Sequence, residues 1–460
     1  MPRERLVVIG GNAAGMSAAS QARRRRPDLE IIVLEKGIHV SYAACALPYY
    51  VAKYFDDIGA AVARSAETFR DKLKIDLRLN SEVLEIDPGV RRVRVKGAAP
   101  GAGGGTGESP REYWEPFDNL LIATGAVPIR PPVPGLESQG VYGLSTPDDG
   151  VMLRRALETQ KPRRAVVVGG GYIGLEMVEA LLSHGLQVAV VDMLPQVMGT
   201  LDADMAALVA EALQGLGVDL HLGEALRGFE AEGGRLIAVA TDKAALPADV
   251  AVLGLGIRPN TALARAAGIP LGERGAVRVD DTLRTQVAGI WAAGDCAESF
   301  HLVSRKPVSI ALGTVANKQG RVAGINLAGG RARFPGVVGT AVTRVFETEI
   351  ARTGLQEREA QALGLDYVSA RIESRTRAGY YPGAGAITVK VLAEKGAGRL
   401  LGGQIVGAPG SAKRIDPLAV ALQAGLAVED VVNLDLGYAP PFSGVWDPVL
   451  IAARQVLRLL

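Results

Sequence analysis

The sequence predicts an α/β protein with two Rossmann-like units followed by a smaller α+β domain. Three observations carry that prediction. An apolar segment runs into Gly10-Gly11-Asn12-Ala13-Ala14-Gly15 and then into an alanine-rich stretch. A second apolar segment meets Gly169-Gly170-Gly171-Tyr172-Ile173-Gly174 about 160 residues later, as a repeated unit would. Beyond residue 334 the glycine turns give way to alternating apolar and polar residues, the period of an antiparallel sheet.

Residues 5–9 read as a buried strand, and the helix after the first turn runs to about Arg26, where Pro27 and Asp28 end it. Residues 30–34 form the next strand, closing on Glu35, which completes one βαβ unit. Residues 97–110, rich in Gly, Ala and Pro, lie between strand-like segments 91–95 and 112–114 and read as an exposed hairpin tip. Residues 128–134 are a proline-rich crossover and a candidate domain boundary. Residues 164–168 are a strand, 175–184 a helix and 187–191 a strand ending at Asp192, the second βαβ unit. Segments 386–392 and 400–406 alternate as sheet strands, and 417–426 reads as a helix. The expected domains are 1–148 with 277–333, then 149–276, then 334–460.

A chain of 460 residues, 48% hydrophobic and 22% charged, can bury a core for each of these domains. Its 51 Lys and Arg against 49 Asp and Glu give no reason to expect nucleic acid or an anionic membrane as partner. Two cysteines without Cys-x-x-Cys spacing exclude a disulfide framework, and four histidines without His-Glu-x-x-His give no zinc site. No apolar run reaches the roughly 20 residues of a membrane span, and the N-terminus does not read as a signal peptide. A cytoplasmic, reducing setting is expected.

The glycine turns carry the first chemistry. Glycine lets backbone approach a pyrophosphate and lets helix pack on strand, while the helix N-terminus faces negative charge. Gly169, Gly171 and Gly174, with Asp192 closing the next strand, match the full dinucleotide pattern. In the first turn Asn12 replaces the middle glycine, although Gly10, Gly15 and Glu35 remain. Residues 121–125 (Leu-Ile-Ala-Thr-Gly) and 289–295 (Gly-Ile-Trp-Ala-Ala-Gly-Asp) are apolar strands ending in small residues.

With these segments the chain resembles, over essentially its whole length, the two-dinucleotide-binding flavoprotein disulfide reductases. The resemblance implies FAD on the first unit, held by Gly10, Gly11, Ala13, Ala14, Gly15, Glu35, Lys36, Val83, Ala123, Thr124, Gly125, Asp295, Gly313 and Thr314. Asp295 takes the ribityl chain by the same resemblance. It implies a nicotinamide dinucleotide on the second unit, held by Gly169, Gly171, Tyr172, Ile173, Gly174, Asp192 and Gly256. The carboxylate of Asp192 suits the 2′-hydroxyl of NADH, with NADPH the other donor.

Cys45 lies in Ser41-Tyr42-Ala43-Ala44-Cys45-Ala46-Leu47-Pro48-Tyr49, and a helix starting near Leu47 would favour its thiolate. Cys296, beside Asp295, reads instead as packing. The Cys45 motif resembles the single-cysteine branch of that family: coenzyme A-disulfide reductases, NADH oxidases and peroxidases, and persulfide reductases. Oxidases and peroxidases of the branch carry a histidine in the first glycine turn, and none stands between Gly11 and Gly15. Coenzyme A-disulfide reductases use a Ser or Thr, a Gln and an Arg where Ser17, Gln21 and Arg24 stand, and the resemblance adds Ser41 and His301 as CoA contacts. The other arginines of 23–26 read as a solvated helix end. Residues 377–383 and 438–443 resemble two tyrosine motifs, so that Tyr380 and Tyr438 would reach the cysteine of the partner subunit in a homodimer. Two departures stand out: Ala44 where many relatives have Asn, and Trp446 where a basic residue is common.

The implied activity is NADH-dependent reduction of CoA disulfide to two CoA thiols through a Cys45–S–S–CoA mixed disulfide, with Cys45, Tyr438 and Tyr380 as the reacting groups. The alternatives are an NADH oxidase or peroxidase cycling Cys45 as sulfenic acid, and a CoA-persulfide or polysulfide reductase.

Overall fold

The computed structural model describes residues 4–97 and 111–460. Strand Arg5–Ile9 is the centre of a five-stranded parallel sheet, and its Val7 and Val8 are fully enclosed. Cover on both faces explains why the strand is an unbroken apolar run rather than an alternating one. Glu30–Leu34 and then Asp76–Arg78 extend the sheet on one side. Asn119–Ile122 and then Ile290–Ala292 extend it on the other, so this domain draws on two separated parts of the chain.

The second parallel sheet repeats the plan around Arg164–Val168. Gln187–Asp192 and Asp219–Leu222 lie to one side; Val250–Leu253 and Val141–Tyr142 lie to the other. In both sheets the chain switches sides at the central strand, which opens a crevice at the carboxyl ends of the strands. Each glycine turn sits in that crevice.

Ala126–Pro128 pairs antiparallel with Ile257–Pro259, and these two crossings join the sheets. The crossover expected at 128–134 begins here. The boundary expected at 148/149 falls inside helix Pro147–Gln160, and Val141–Tyr142 already belongs to the second sheet. On the return, Ala264 and Ile269 pack in the core of the first sheet ahead of residue 277. Composition marks a crossover, but nothing in it tells which sheet a short flanking strand will join.

The third domain is a five-stranded antiparallel sheet. Its centre pairs Ala386–Glu394 with Leu400–Gly407, the two segments read as strands from their alternation. The helix expected at 417–426 is Ile415–Ala424, stopped by Gly425 at φ 71°, the left-handed C-cap glycine favours. Strands Arg92–Gly97 and Arg111–Pro116 pair antiparallel. Residues 98–110, expected to be the hairpin tip, lie outside the described residues. No helix among the described residues is long and apolar enough to cross a membrane.

The domains are joined by more than the chain. One apolar cluster holds Leu47, Tyr50 and Val51 from the Cys45 segment, Leu175 and Val178 from the second domain, and Val345, Ile350 and Val406 from the third. Beside it, buried Lys390 on the third-domain sheet pairs with Asp202, Asp204 and Glu357 at 3.2, 2.8 and 3.0 Å. Asp202 and Asp204 come from the second domain, so this ion cluster fastens the two domains together.

Candidate active site

Gly10 has φ +107°, and a methyl group there would lie 2.2 Å from the Ala123 carbonyl oxygen. Gly169 repeats this at φ +108°, with 2.4 Å to the Gly254 oxygen. Glycine is therefore required at both turns by close backbone approach. The acids that follow also mirror each other. Gly11 N donates to Glu35 Oε2 at 2.7 Å, and Gly170 N donates to Asp192 Oδ2 at 2.8 Å. The second carboxylate oxygens accept from Gly37 N and Leu194 N, both at 2.8 Å. Each acid thus fixes the shape of its own turn and keeps lone pairs for a ribose hydroxyl.

Helices Ala13–Arg25 and Tyr172–Ser183 start without a side-chain cap and without an acid in the first turn. Their open N–H groups suit pyrophosphate. Helix Gly313–Leu327 lies directly on Ala13–Arg25, because Gly320 and Gly324 carry no side chain; a methyl on Gly320 would sit 2.3 Å from the Ala14 oxygen. That contact sets Asp295 and the exposed Gly313 and Thr314 beside the first turn.

The Asp295 carboxyl has no hydrogen-bond donor among the described residues, and burial pushes its pKa up. Asn12 Oδ1 is buried without a partner. An uncapped helix, an unpartnered carboxyl and an orphaned amide oxygen together fit a ligand with both pyrophosphate and hydroxyl groups, as FAD has. Thr124 Oγ1 is tied to the Asn260 oxygen at 2.6 Å, while a methyl on Gly125 would meet nothing within 4 Å. Ala123 and Lys36 flank this space, Lys36 exposed. Val83 is buried in the core under the sheet, so only its main chain is left for a ligand. In the second crevice a methyl on Gly171 would also meet nothing, which leaves room for a dinucleotide. Tyr172 and Ile173 pack half-buried against the core below, and Gly256 is exposed at φ +87°.

Cys45 is exposed in the short turn Ala44–Ala46 ahead of helix Leu47–Val51, whose Leu47 and Val51 are fully buried. Ser41, at φ +50°, donates its N–H to the Gly11 oxygen at 3.0 Å. The thiol segment is thereby clipped to the first glycine turn. Cys296 is fully buried, its Sγ 3.4 Å from the oxygens of Ile122 and Ala293, and burial pushes its thiol pKa up. Its packing role follows from that enclosure.

Ser17, Gln21 and Arg24 recur at helical spacing on Ala13–Arg25 and share one face. Ser17 donates its hydroxyl to the Asn317 oxygen, and exposed Arg24 has no partner among the described residues. Arg23 and Arg26 are not simply solvated. Arg23 bonds the oxygens of Leu73, Pro27, Leu29 and Lys74, and Arg26 pairs with Glu4 and Asp28. His301 does not share the open surface of Arg24. It is 4% exposed, Ser304 N donates to its Nδ1 at 3.1 Å, and desolvation lowers its pKa.

Sequence reasoning did not find Tyr49 and Glu176. Burial first, then the charges of Glu176 and Glu179, push Tyr49 up to about 12. Burial likewise raises Glu176, whose Oε1 accepts from Thr343 Oγ1 at 3.0 Å. Next to them Glu179, 2% exposed, accepts from Tyr54 Oη and Phe346 N, both at 2.6 Å. The only sequence signal was an acid recurring on the helix after the second turn. Tyr380 and Tyr438 stand out from the third domain, 79% and 48% exposed. Tyr438 has its pKa raised by desolvation and then by neighbouring Tyr380.

Residues 4–320 match the family model for pyridine nucleotide-disulphide oxidoreductases, and residues 340–448 match that family's dimerisation domain. The chain belongs to this family. It is accordingly an NAD(P)H-dependent flavoprotein oxidoreductase. It is 39% identical over 453 residues to a protein of Pyrococcus horikoshii named NAD(P)H coenzyme A polysulfide/persulfide reductase, covering 98% of each chain. The structure of reduced Bacillus anthracis CoADR-RHD superposes with a TM-score of 0.94 at 33% identity, over 100% of this chain and 81% of that one. The NAD-dependent persulfide reductase of A. fulgidus gives a TM-score of 0.92 at 38% identity, over 99% and 83%.

Proposed function

We propose that this oxidoreductase reduces the sulfur–sulfur bond of CoA disulfide with electrons from NADH, and that Cys45 is the sulfur that changes partner. One observation carries the reading: Cys45 is exposed and clipped to the first glycine turn, while the other cysteine of the chain is sealed in the core. A dithiol cycle has no second sulfur here, so a small thiol must supply it. The row Ser17, Gln21 and Arg24 supports CoA as that thiol, because a free guanidinium offers forked donors to phosphate. Asp192, already holding its own turn, supports NADH over NADPH.

Bound FAD supplies hydride acceptance from NADH and return of the electron pair to sulfur. The Cys45 thiolate attacks one sulfur of CoA disulfide, forms the mixed disulfide and expels one CoA thiolate, which takes up a proton. Two electrons and a proton then release the second CoA thiol and restore the thiolate. Tyr438, assisted by Tyr380, serves the cysteine of the partner subunit in a homodimer. Its raised pKa keeps it a phenol donor for the departing thiolate.

A second reading is favoured by the relatives at 39% and 38% identity, both named for persulfide reduction. In it the Cys45 thiolate attacks CoA persulfide, forming the same mixed disulfide and releasing hydrosulfide. The sulfenic-acid cycle of an oxidase or peroxidase finds no histidine in the first turn.

The test is anaerobic NADH oxidation with CoA disulfide by the parent and by Cys45→Ser. Turnover that requires Cys45 supports the main reading. Negligible turnover with the disulfide, but sulfide release from CoA persulfide, transfers the assignment to the second. Equal turnover in Cys45→Ser refutes both.

A further inference from the structure

Arg414, at the end of the turn Ala412–Arg414, lies under the two tyrosine loops. Its Nη2 donates to the Thr376 oxygen at 2.6 Å, at the base of the loop that carries Tyr380. The same nitrogen donates to the Phe442 oxygen, in the loop that carries Tyr438. Nη1 donates to the Gly410 oxygen, and Nε donates to Asp447 Oδ2 at 3.1 Å. Asp447 in turn accepts from Ser443 Oγ and caps the last helix through Val449 N. The loops also meet directly, where Ala378 N donates to the Pro440 oxygen at 3.2 Å.

Burial separates the two ends of this assembly. Thr376 and Ser443 are each 2% exposed, whereas Tyr380 and Tyr438 project into solvent. A flexible glycine- and proline-rich loop cannot by itself hold an exposed phenol in place. Here one planar cation holds the buried foot of one loop at Thr376 directly, and the other loop through the Phe442 carbonyl and, by way of Asp447, the buried Ser443.

We propose that Arg414 is a positioning residue that locks the two tyrosine loops into one unit and so sets where Tyr438 and Tyr380 present their hydroxyls. This rests on the proposed role of those tyrosines at the partner's thiol. The guanidinium suits the task because its donors are fixed in one plane and reach three carbonyls and a carboxylate together. A lysine ammonium keeps the charge for Asp447 but cannot span the same acceptors. The residue acts through the tyrosines and touches no substrate.

The experiment compares the parent, Arg414→Lys, Tyr438→Phe and the double variant, each confirmed as a flavin-bound dimer by mass and absorbance. Flavin reduction by NADH is followed in a single turnover, and steady-state turnover is followed with CoA disulfide. Arg414→Lys is expected to leave flavin reduction unchanged and to lower turnover about 10- to 100-fold, the usual cost of misplacing a reacting group by about 1 Å. The loss in the double variant should fall well short of the product of the two single losses, because both changes act on the same step and only the part carried by Tyr380 remains for Arg414 to position.

Unchanged turnover in Arg414→Lys, or losses that multiply in the double variant, would overturn the positioning role. If Tyr438→Phe itself turns over normally, the reading of the tyrosines fails first and Arg414 is left structural. Should Arg414→Lys not assemble, Asp447→Asn keeps a capping side chain but weakens the hold on the guanidinium. It should then slow the same step about tenfold, the low end of the scale of one charge-assisted hydrogen bond; no change in it would count against the proposal equally.

Discussion

Replacing Lys390 by Met tests whether the second and third domains are held by the ion cluster between them. The side chain is 6% exposed, as is that of its partner Asp202. Burial pulls the ammonium pKa down, but hydrogen bonds to Asp204 and Glu357 and the charge of Asp202 outweigh it, so the pKa is raised. Removing one partner of a buried pair costs about 3–5 kcal/mol. The low end applies here. Asp204 and Glu357 are about a third exposed and can turn to water, and Asp202 keeps hydrogen bonds from Gln404 and the Glu357 amide. About 3 kcal/mol corresponds to roughly a 100-fold rise in local opening.

Two amides report that opening directly: Asp202 N, bound to Gln404 Oε1 at 2.8 Å, and Glu357 N, bound to Asp202 Oδ1 at 3.0 Å. Hydrogen exchange at both should accelerate about 100-fold in Lys390→Met, while amides in the first sheet keep parent rates. The pH dependence has a definite sign. A raised lysine pKa gives stabilisation that is complete below the unfolded value of about 10.4 and is lost as pH rises through the folded value. The difference between parent and variant should therefore be constant across neutral pH and shrink only in strong alkali. An exchange rate raised less than threefold at neutral pH would refute the reasoning.

Gly174→Ala would place a methyl 1.9 Å from the Gly169 oxygen; the purified protein should retain its yellow absorbance and lose reduction by NADH. Arg24→Glu should raise the KM for CoA disulfide about tenfold, with little change in flavin reduction, and the difference should fade at high salt. Tyr49, held near 12, should contribute an absorbance component at 295 nm that titrates well above ordinary tyrosine and vanishes in Tyr49→Phe. Because the unfolded chain releases that proton from about pH 10, parent stability should fall between about pH 10 and 12, and the Phe variant should lose less.

What could be read in advance was what short spacing encodes. Gly15 and Gly174 pack on the oxygens of Gly10 and Gly169, the first glycines of their own turns, and because that reason is steric and local, the turns and the strands beside them were legible. Cys45 stood out for the same reason, within one contiguous motif. Residues that act across the chain were not legible. Arg414 joins positions 376, 410, 442 and 447, and Glu176 meets Thr343 from another domain. No local pattern marks either. The arginine run shows how composition misleads. Arg23 looks like its neighbours but is spent on four carbonyls, whereas Arg24 stays exposed without a partner among the described residues. His301 was expected near CoA, yet the fold encloses its ring beside Gly339.

The apolar cluster shared by the Cys45 helix, the second domain and the third domain has a consequence for turnover. A nucleotide site on a hinged lobe can empty by swinging open, at the pace of that swing. Here such a swing would tear Leu175 and Val178 away from Leu47 and Val51 and pull Val345 and Ile350 into water. The oxidised nicotinamide nucleotide is therefore expected to leave with these domains still packed together. Product release becomes a matter of small gates, and solvent viscosity, which brakes large rotations, should leave its rate nearly untouched.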